Sequence, residues 1–417
     1  MGTHVEARLV AAGDDRIEVS VREPGGEART LWFASPTASW EAAPETLDFI
    51  AVALAHYAAR RGLDLHLDGP VTGAQLDQLD QFLTIWSVWR PDLYQHVSIS
   101  AAVEVPVRAP EDSPAGAVLT FSGGVDAGFA LAVHADGQAG RLNRRVDLGV
   151  LVVGSDLRHD DPRALALAQD SARRVLESYD ARLAVVASNW RQEFCDKWFM
   201  SFNTGFMAML HTFSATHGAG IHATDHNFLL EMNRSPYSSH TSINHLLGNP
   251  SFPIVSTGGT HSRIERVEYL GAHPRILERL RVCFQTDAGG GNCGRCEKCV
   301  RTQLELRAVG LEEAAAPAFP VPFDLDDLRH VDPRNVMVVK LFEDIYERLA
   351  PEDPIRGEVE RWLRRHRPVT PAQGRRLRKR LRRSRREVRA LKAEVDLLSS
   401  SGSRLRGLAS RIPQPRS

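Results

Sequence analysis

The sequence predicts an α/β protein built around a parallel sheet, and three observations carry that prediction. The apolar run Ala117–Phe121 leads directly into Ser122-Gly123-Gly124-Val125-Asp126-Ala127 and then into a helical stretch, Gly128–Ala135. Further on, the apolar stretch Val146–Gly154, the helical pattern Pro162–Tyr179 and the apolar stretch Arg182–Ser188 alternate strand, helix and strand. Alternation of this kind needs crossovers, which make the sheet parallel and place ligands beyond the carboxyl ends of its strands. The third observation is a set of four cysteines within seventeen residues, Cys283 to Cys299, a candidate metal centre appended to the sheet.

Taken in order, residues 1–110 read as a separate mixed α/β module. Alternating runs at Arg16–Arg22 and Leu31–Phe33 predict a hairpin, Glu45–Arg61 and Gly73–Trp89 have helical periodicity, and Leu63–Leu67 and His96–Val105 read as strands. The polar, proline-bearing stretch Ala109–Pro114 is a linker into the main domain, residues 115–310. Within that domain a helix from Thr204 to near His217 and a strand at Gly220–Ala223 continue the alternation. Asp225–Pro253 loses periodicity, the mark of a substrate loop, and Arg301–Val309 is helical. Pro317–Pro322 breaks the chain. Asn335–Leu349 and Arg356–Arg365 then form a helical extension over residues 311–366. In the tail, residues 367–417, a long basic helical pattern spans 373–398 and the Ser/Gly/Pro-rich remainder is expected to be disordered.

A length of 417 residues with 43% hydrophobic and 25% charged side chains suits a soluble globular protein of two or three domains. No apolar run approaches eighteen residues, so no transmembrane segment is expected, and the amino-terminal stretch has no apolar signal core; a cytoplasmic location follows as an expectation. The net charge of zero conceals an asymmetry. Residues 361–417 hold 19 Lys and Arg against 3 Asp and Glu, which leaves 33 against 49 in the first 360 residues. Such a tail could meet nucleic acid, an anionic membrane or an acidic partner, including the acidic body itself.

The order strand, Ser-Gly-Gly-x-Asp, helix has the geometry of a phosphate cradle. Paired glycines let the backbone approach an anion, and the amides opening the next helix point at it. The cysteines, spaced C-x9-C-x2-C-x2-C with Gly294 to turn the chain, suit tetrahedral Zn²⁺, with an iron–sulfur cluster and a disulfide set as the alternatives. Four thiolates leave no open coordination position, so the expected role of the metal is structural.

These residues resemble two motifs of one superfamily. Ser122–Ala127 resembles the PP-loop of the N-type ATP pyrophosphatases. Cys283-Phe284-Gln285, followed by Asn292-Cys293-Gly294-Arg295-Cys296-Glu297-Lys298-Cys299-Val300-Arg301, is similar to the cysteine segment of the 7-cyano-7-deazaguanine synthase (ExsB/QueC-type) family. The resemblance covers about residues 115–310. It implies an adenine nucleotide α-hydrolase-like core, ATP with Mg²⁺ bound by Ser122, Gly123, Gly124, Val125, Asp126 and Ala127, and Zn²⁺ on Cys283, Cys293, Cys296 and Cys299. It also implies cleavage of ATP to pyrophosphate and an adenylylated carboxylate, which a nitrogen nucleophile then attacks.

Three departures are visible. Ala127 replaces the final serine of the family loop. Pro236-Tyr237-Ser238-Ser239-His240-Thr241-Ser242 stands in place of the family's deazapurine segment, and Gly258–Arg266 precedes the cysteines, as in a sister group of the family. Candidate cations for pyrophosphate are Arg263, Arg266, Lys298 and Arg301, and Asp126 of the loop is a further candidate catalytic residue. His222, Asp225, His240 and His261 are candidates for the acceptor pocket, and Asn189 and Trp190 for its rim. With no amidotransferase cysteine behind the initiator, ammonia is expected from solution or from a partner. Two other functions remain open: an RNA-modifying PP-loop enzyme docked through its basic tail, and a catalytically weakened nucleotide-binding partner protein.

Overall fold

The computed structural model describes residues 4–366 except 36–39, 41, 233–235, 284–290 and 333–334. The chain divides into a unit of residues 1–361 and a second of 362–417, whose described part is the end of the last helix. The predicted tail helix at 373–398 lies outside the described residues.

Ten strands form one sheet: β1 (His4–Ala12), β2 (Arg16–Arg22), β3 (Ala28–Ala34), β4 (Asp64–Thr72), β5 (Ile99–Val105), β6 (Ala117–Thr120), β7 (Val146–Val153), β8 (Arg182–Ser188), β9 (Gly220–Ala223) and β10 (Ile254–Thr257). Their order is β10-β9-β6-β7-β8-β3-β2-β1-β4-β5. The β10-to-β8 half is parallel throughout, and the sheet as a whole is mostly parallel. The helices are α1 (Asp48–Arg61), α2 (Gly73–Trp89), α3 (Val125–Ala135), α4 (Pro162–Glu177), α5 (Trp190–Glu193), α6 (Trp198–His211), α7 (Phe228–Met232), α8 (Arg263–Tyr269), α9 (Pro274–Leu277), α10 (Glu297–Ala308), α11 (Glu312–Ala315), α12 (Val336–Arg348) and α13 (Pro354–His366).

β6 sits between β7, which follows it in sequence, and β9, which comes two strands later. This is the topological switch point of a doubly wound sheet, where the loops leaving two adjacent strands diverge and open a crevice. Alternate side chains of β6 serve two cores. Val118 packs with Leu148, Val150, Met207 and Leu210 on the face covered by α6, while Ala117 and Leu119 pack with Ala130 and Leu131 of α3 on the other. Helices α3 and α6 therefore cover opposite faces of the sheet.

The amino-terminal residues extend the same sheet. β3 runs antiparallel to β8 through Phe33↔Ser188 and Ala34↔Ala187, and α1 and α6 share a core in which Phe49, Ile50, Ala53, Met207 and Leu210 are buried. Asn189 fastens that seam, accepting from the Trp32 amide (2.9 Å) and donating to the Thr30 carbonyl (2.8 Å). Trp190 is buried, with its indole N–H on the Ala53 carbonyl at 2.8 Å. Both residues thus stitch the sheet together and do not rim a pocket. The hairpin, α2 and β8 fall where the periodicity predicts them. β1 and β10 carried too weak a pattern to be read, β10 being four residues between Pro253 and Gly258. Among the described residues no helix is long and apolar enough to cross a membrane.

Candidate functional site

The loop Ser122–Gly124 leaves β6 at the switch point and turns straight into α3. Gly123 adopts φ +77°, a left-handed conformation that costs any residue with a Cβ about 1–2 kcal/mol. Gly124 is the N-cap of α3, and its amide donates to Ser122 Oγ at 3.3 Å. The first backbone bond of the helix is Gly128 N–H to the Gly124 carbonyl (2.9 Å), so the amides of Val125, Asp126 and Ala127 have no acceptor within the helix. Those three residues line a cavity of about 560 Å³ together with Ser122, Gly124, the ends of β6 and β7, Ala223 at the end of β9, and Asp225 and His226 beyond it.

Asp126 does not stand free in this cavity. Its two oxygens accept from Arg263 Nη1 and Arg266 Nη1, each at 2.7 Å. Burial alone would raise the Asp126 carboxyl, but Arg263 and Arg266 outweigh it and hold the group below the usual range. Arg263 also reaches Glu305 Oε2 (3.1 Å) and Thr302 Oγ1 (3.3 Å) on α10, and it lines the cavity. Arg266 is only 1% exposed and does not line it. Its donors go to Asp126 and to the carbonyls of His261, Thr224 and Gly258, which binds α3 and α8 to the segments leaving β9 and β10. It acts as a structural tie for the crevice.

The cavity has further cations. Lys298 lies 3.9 Å from Asp156, and Arg301 lies 3.2 Å from Glu297 without the alignment of a hydrogen bond; all four line the cavity. Arg281, not anticipated from the sequence, lines it as well. Its backbone N–H donates to the Gly123 carbonyl at 2.8 Å and its Nη1 reaches the Ser122 carbonyl at 3.4 Å. Among the described residues no carboxylate comes within 4.0 Å of its guanidinium, and burial pushes its pKa down. A half-buried guanidinium beside an anion-type loop, with only the more distant Asp156 acting on it as a carboxylate, is suited to an anionic ligand.

Of the candidate pocket residues, the structure brings two into the cavity. His222 is 6% exposed, its Nδ1 is 3.2 Å from Thr120 Oγ1 and its Nε2 has no protein partner; burial pulls its pKa down to about 4, so the ring is neutral at pH 7. Asp225 accepts from Ser239 Oγ at 2.5 Å. His240 and His261 lie outside the lining: His240 packs 5.0 Å from the Trp89 ring, and His261 packs 5.0 Å from Phe129 with Nδ1 on Thr260 Oγ1. Cys195 is a partly buried thiol 3.5 Å from Ser201 Oγ, and burial raises its pKa.

The four cysteines converge beside the cavity. The sulfurs of Cys283, Cys293, Cys296 and Cys299 all lie within 4.8 Å of one another, and Cys283 itself lines the cavity. Cys283–Cys296 and Cys293–Cys299 are 3.8 and 3.9 Å apart, the edge length of about 3.8 Å that a tetrahedron of Zn–S bonds near 2.3 Å requires. All are free thiols, so the disulfide alternative does not apply. The cage fits a single tetrahedral ion such as Zn²⁺; a multi-iron cluster spreads its ligands around a wider core. Hydrogen bonding to Cys283 and burial raise the Cys296 thiol above its ordinary range. Asn292 builds the cage. Its Oδ1 accepts from the amides of Val282 (2.9 Å) and Cys283 (3.1 Å), and its Nδ2 donates to the carbonyls of Leu280 (2.8 Å) and Ala318 (2.9 Å). Cys296 is the N-cap of α10 and Cys299 sits in its first turn, so a bound ion would fix the helix that carries Lys298, Arg301 and Glu305.

Together these features define an α/β protein with a switch-point crevice, a glycine loop that opens a helix there, and an adjoining cage of four thiols that could hold a metal ion. In comparisons with known proteins, no family model, no curated protein and no solved structure matches the chain.

Proposed function

We propose that the chain is an ATP-dependent adenylylating enzyme of the PP-loop, N-type ATP pyrophosphatase kind, similar in both motifs to the 7-cyano-7-deazaguanine synthase family. The observation that carries this reading is the concentration of anion donors at the switch point. The amides that open α3, Ser122 and Arg281, which has no carboxylate within 4.0 Å among the described residues, border one cavity with Lys298 and Arg301. ATP would lay its phosphates over Ser122–Ala127. Mg²⁺ would shield the triphosphate charge; because Asp126 is committed to two arginines, the lining carboxylates that could meet it are Asp156, 3.9 Å from Lys298 and Arg191, and Asp225, which among the described residues accepts only from a hydroxyl, that of Ser239.

An acceptor carboxylate oxygen would bond to the α-phosphorus as the bond to the α–β bridging oxygen breaks. Pyrophosphate departs with its charge held by Arg281, Lys298 and Arg301. A nitrogen nucleophile then adds to the activated carbon, AMP leaves and the nucleophile gives up a proton. The thiol cage keeps α10 in register and takes no part in bond making.

The test is isotope exchange. Zinc-loaded protein with ATP, Mg²⁺ and a panel of carboxylic acids should return labelled pyrophosphate into ATP in an acid-dependent manner. Production of ADP and phosphate, or no exchange with any acid despite ATP binding, would remove the reading.

A further inference from the structure

The aromatic side of the cavity belongs to none of the motifs. After β8 the chain enters α6, whose first two turns present Trp198, Phe202 and Phe206 at i, i+4 and i+8, with Phe199 beside them; all four line the cavity. Trp198 and Phe206 each lie within 5.8 Å of the rings next to them, Phe202 bridges the pair at 5.6 Å on either side, and Tyr237 closes the array 5.4 Å from Phe202. Because α6 and α3 cover opposite faces of the sheet, this array walls the crevice on the side away from the phosphate-type loop. Phe199 is left 64% exposed, which is unfavourable for so large an apolar group unless something covers it.

We infer that this wall seats the apolar part of the acceptor, and that the acceptor is an aromatic carboxylic acid with a plain hydrocarbon ring. The inference rests on the adenylylating reading for what happens to the carboxylate, but not for the binding of the ring. A hydrocarbon ring gains from burial against the wall and from offset stacking on Phe202, since one face of Trp198 already carries the Arg191 guanidinium 4.0 Å from its centroid. The acceptor's carboxylate is then directed across the cavity toward the place over Ser122–Ala127 where the α-phosphate of ATP would lie, leaving Arg281 and Arg301 to the pyrophosphate. A hydrophilic acid would leave the faces of Phe199, Phe202 and Phe206 wetted and forgo their burial. Adenine is flat as well, but its nitrogens and amino group need hydrogen-bond partners, which ring faces do not supply.

Calorimetric titration of the full zinc-loaded chain with 2-naphthoate, 3-phenylpropanoate and glutarate tests this directly. Both aryl acids should bind at least about tenfold tighter than glutarate, the equivalent of about 1.4 kcal/mol of ring burial. They should also bind alongside a non-hydrolysable ATP analogue without competition. Phe199→Ala, at an exposed position that does not endanger folding, should weaken naphthoate binding several-fold, and Phe202→Ala more strongly. Equal affinity for the three acids, or an unchanged affinity in Phe199→Ala, overturns the inference; so does competition between naphthoate and the ATP analogue, which would give the wall to adenine. Tight naphthoate binding without any pyrophosphate exchange would uphold the ring site while removing the adenylylating reading.

Discussion

Asp126→Asn takes away the carboxylate on which two buried arginines converge. Arg263 would keep Glu305 at 3.1 Å, but Arg266, only 1% exposed, has no other carboxylate within 4.0 Å among the described residues. Removing one partner of a buried ion pair costs about 3–5 kcal/mol, mostly through the charge left behind. Part of that is offset here, because Arg266 also donates to three backbone carbonyls and the asparagine amide oxygen can still accept one bond. The expected loss of unfolding free energy is therefore about 2–4 kcal/mol. Arg263 and Arg266 depress the Asp126 carboxyl below its ordinary 3.8, against the effect of burial, so the unfolded chain takes up this proton first. The contribution is complete above that ordinary value and disappears as the pH falls through the lower folded one. Urea denaturation of wild type and variant should show the same gap at pH 7 and pH 5, closing only below about pH 3.8. A gap under about 1 kcal/mol at pH 7 would refute the role given to this network.

Asn292→Ala removes four hydrogen bonds from the cysteine cage and should weaken Zn²⁺ affinity about 10- to 100-fold in a chelator competition; unaltered affinity would show that the thiols are placed without it. Ala127→Ser restores a hydroxyl on the cavity lining and should tighten ATP by about 2- to 13-fold, from a hydrogen bond worth about 0.5–1.5 kcal/mol. In calorimetry, weaker or equal binding contradicts the proposed phosphate position. His222, His134 and His56 are held neutral by burial, at about 4, about 4 and about 3. The unfolded chain protonates these rings near pH 6.5 and the folded chain only much lower, so stability is full above pH 6.5 and drains as the pH falls toward 4. The denaturation midpoint should drop across that window, and less so in His56→Phe, since both nitrogens of His56 lack partners among Phe82, Trp86 and Tyr94. A midpoint constant from pH 6.5 to 4 would contradict this.

What was legible in the sequence was local. The β6 loop, α2, β7 and β8 are short-range patterns of apolar residues and glycines, and the cysteine spacing pointed to the four thiols that lie within 4.8 Å of one another. What escaped depends on contacts between distant segments. No residue type announces the β3–β8 pairing that merges residues 1–110 into the main sheet, because register between non-adjacent strands is set by packing on both faces. Arg266 and Arg263 looked equivalent as cations three residues apart on a helix, yet one turns inward to carbonyls and the other reaches the cavity. The candidate histidines divided in the same way: Trp89 claims His240, Phe129 claims His261, and only His222 keeps a nitrogen without a protein partner at the cavity. Arg281 stands next to a recognisable motif without belonging to it, and Asn292 lies inside the cysteine segment without being one of its thiols. Proximity to Cys283 and Cys293 was the only signal that could have found them.

The most direct measurement of the central claim is a crystal structure of the zinc-loaded protein with an ATP analogue blocked at the α–β bridge. The account predicts phosphates over the amides of Gly124–Ala127, with the Arg281 guanidinium in contact with them and the thiol cage closed around one ion. Phosphates bound away from Ser122–Ala127, with Arg281 turned from the ligand, would contradict it.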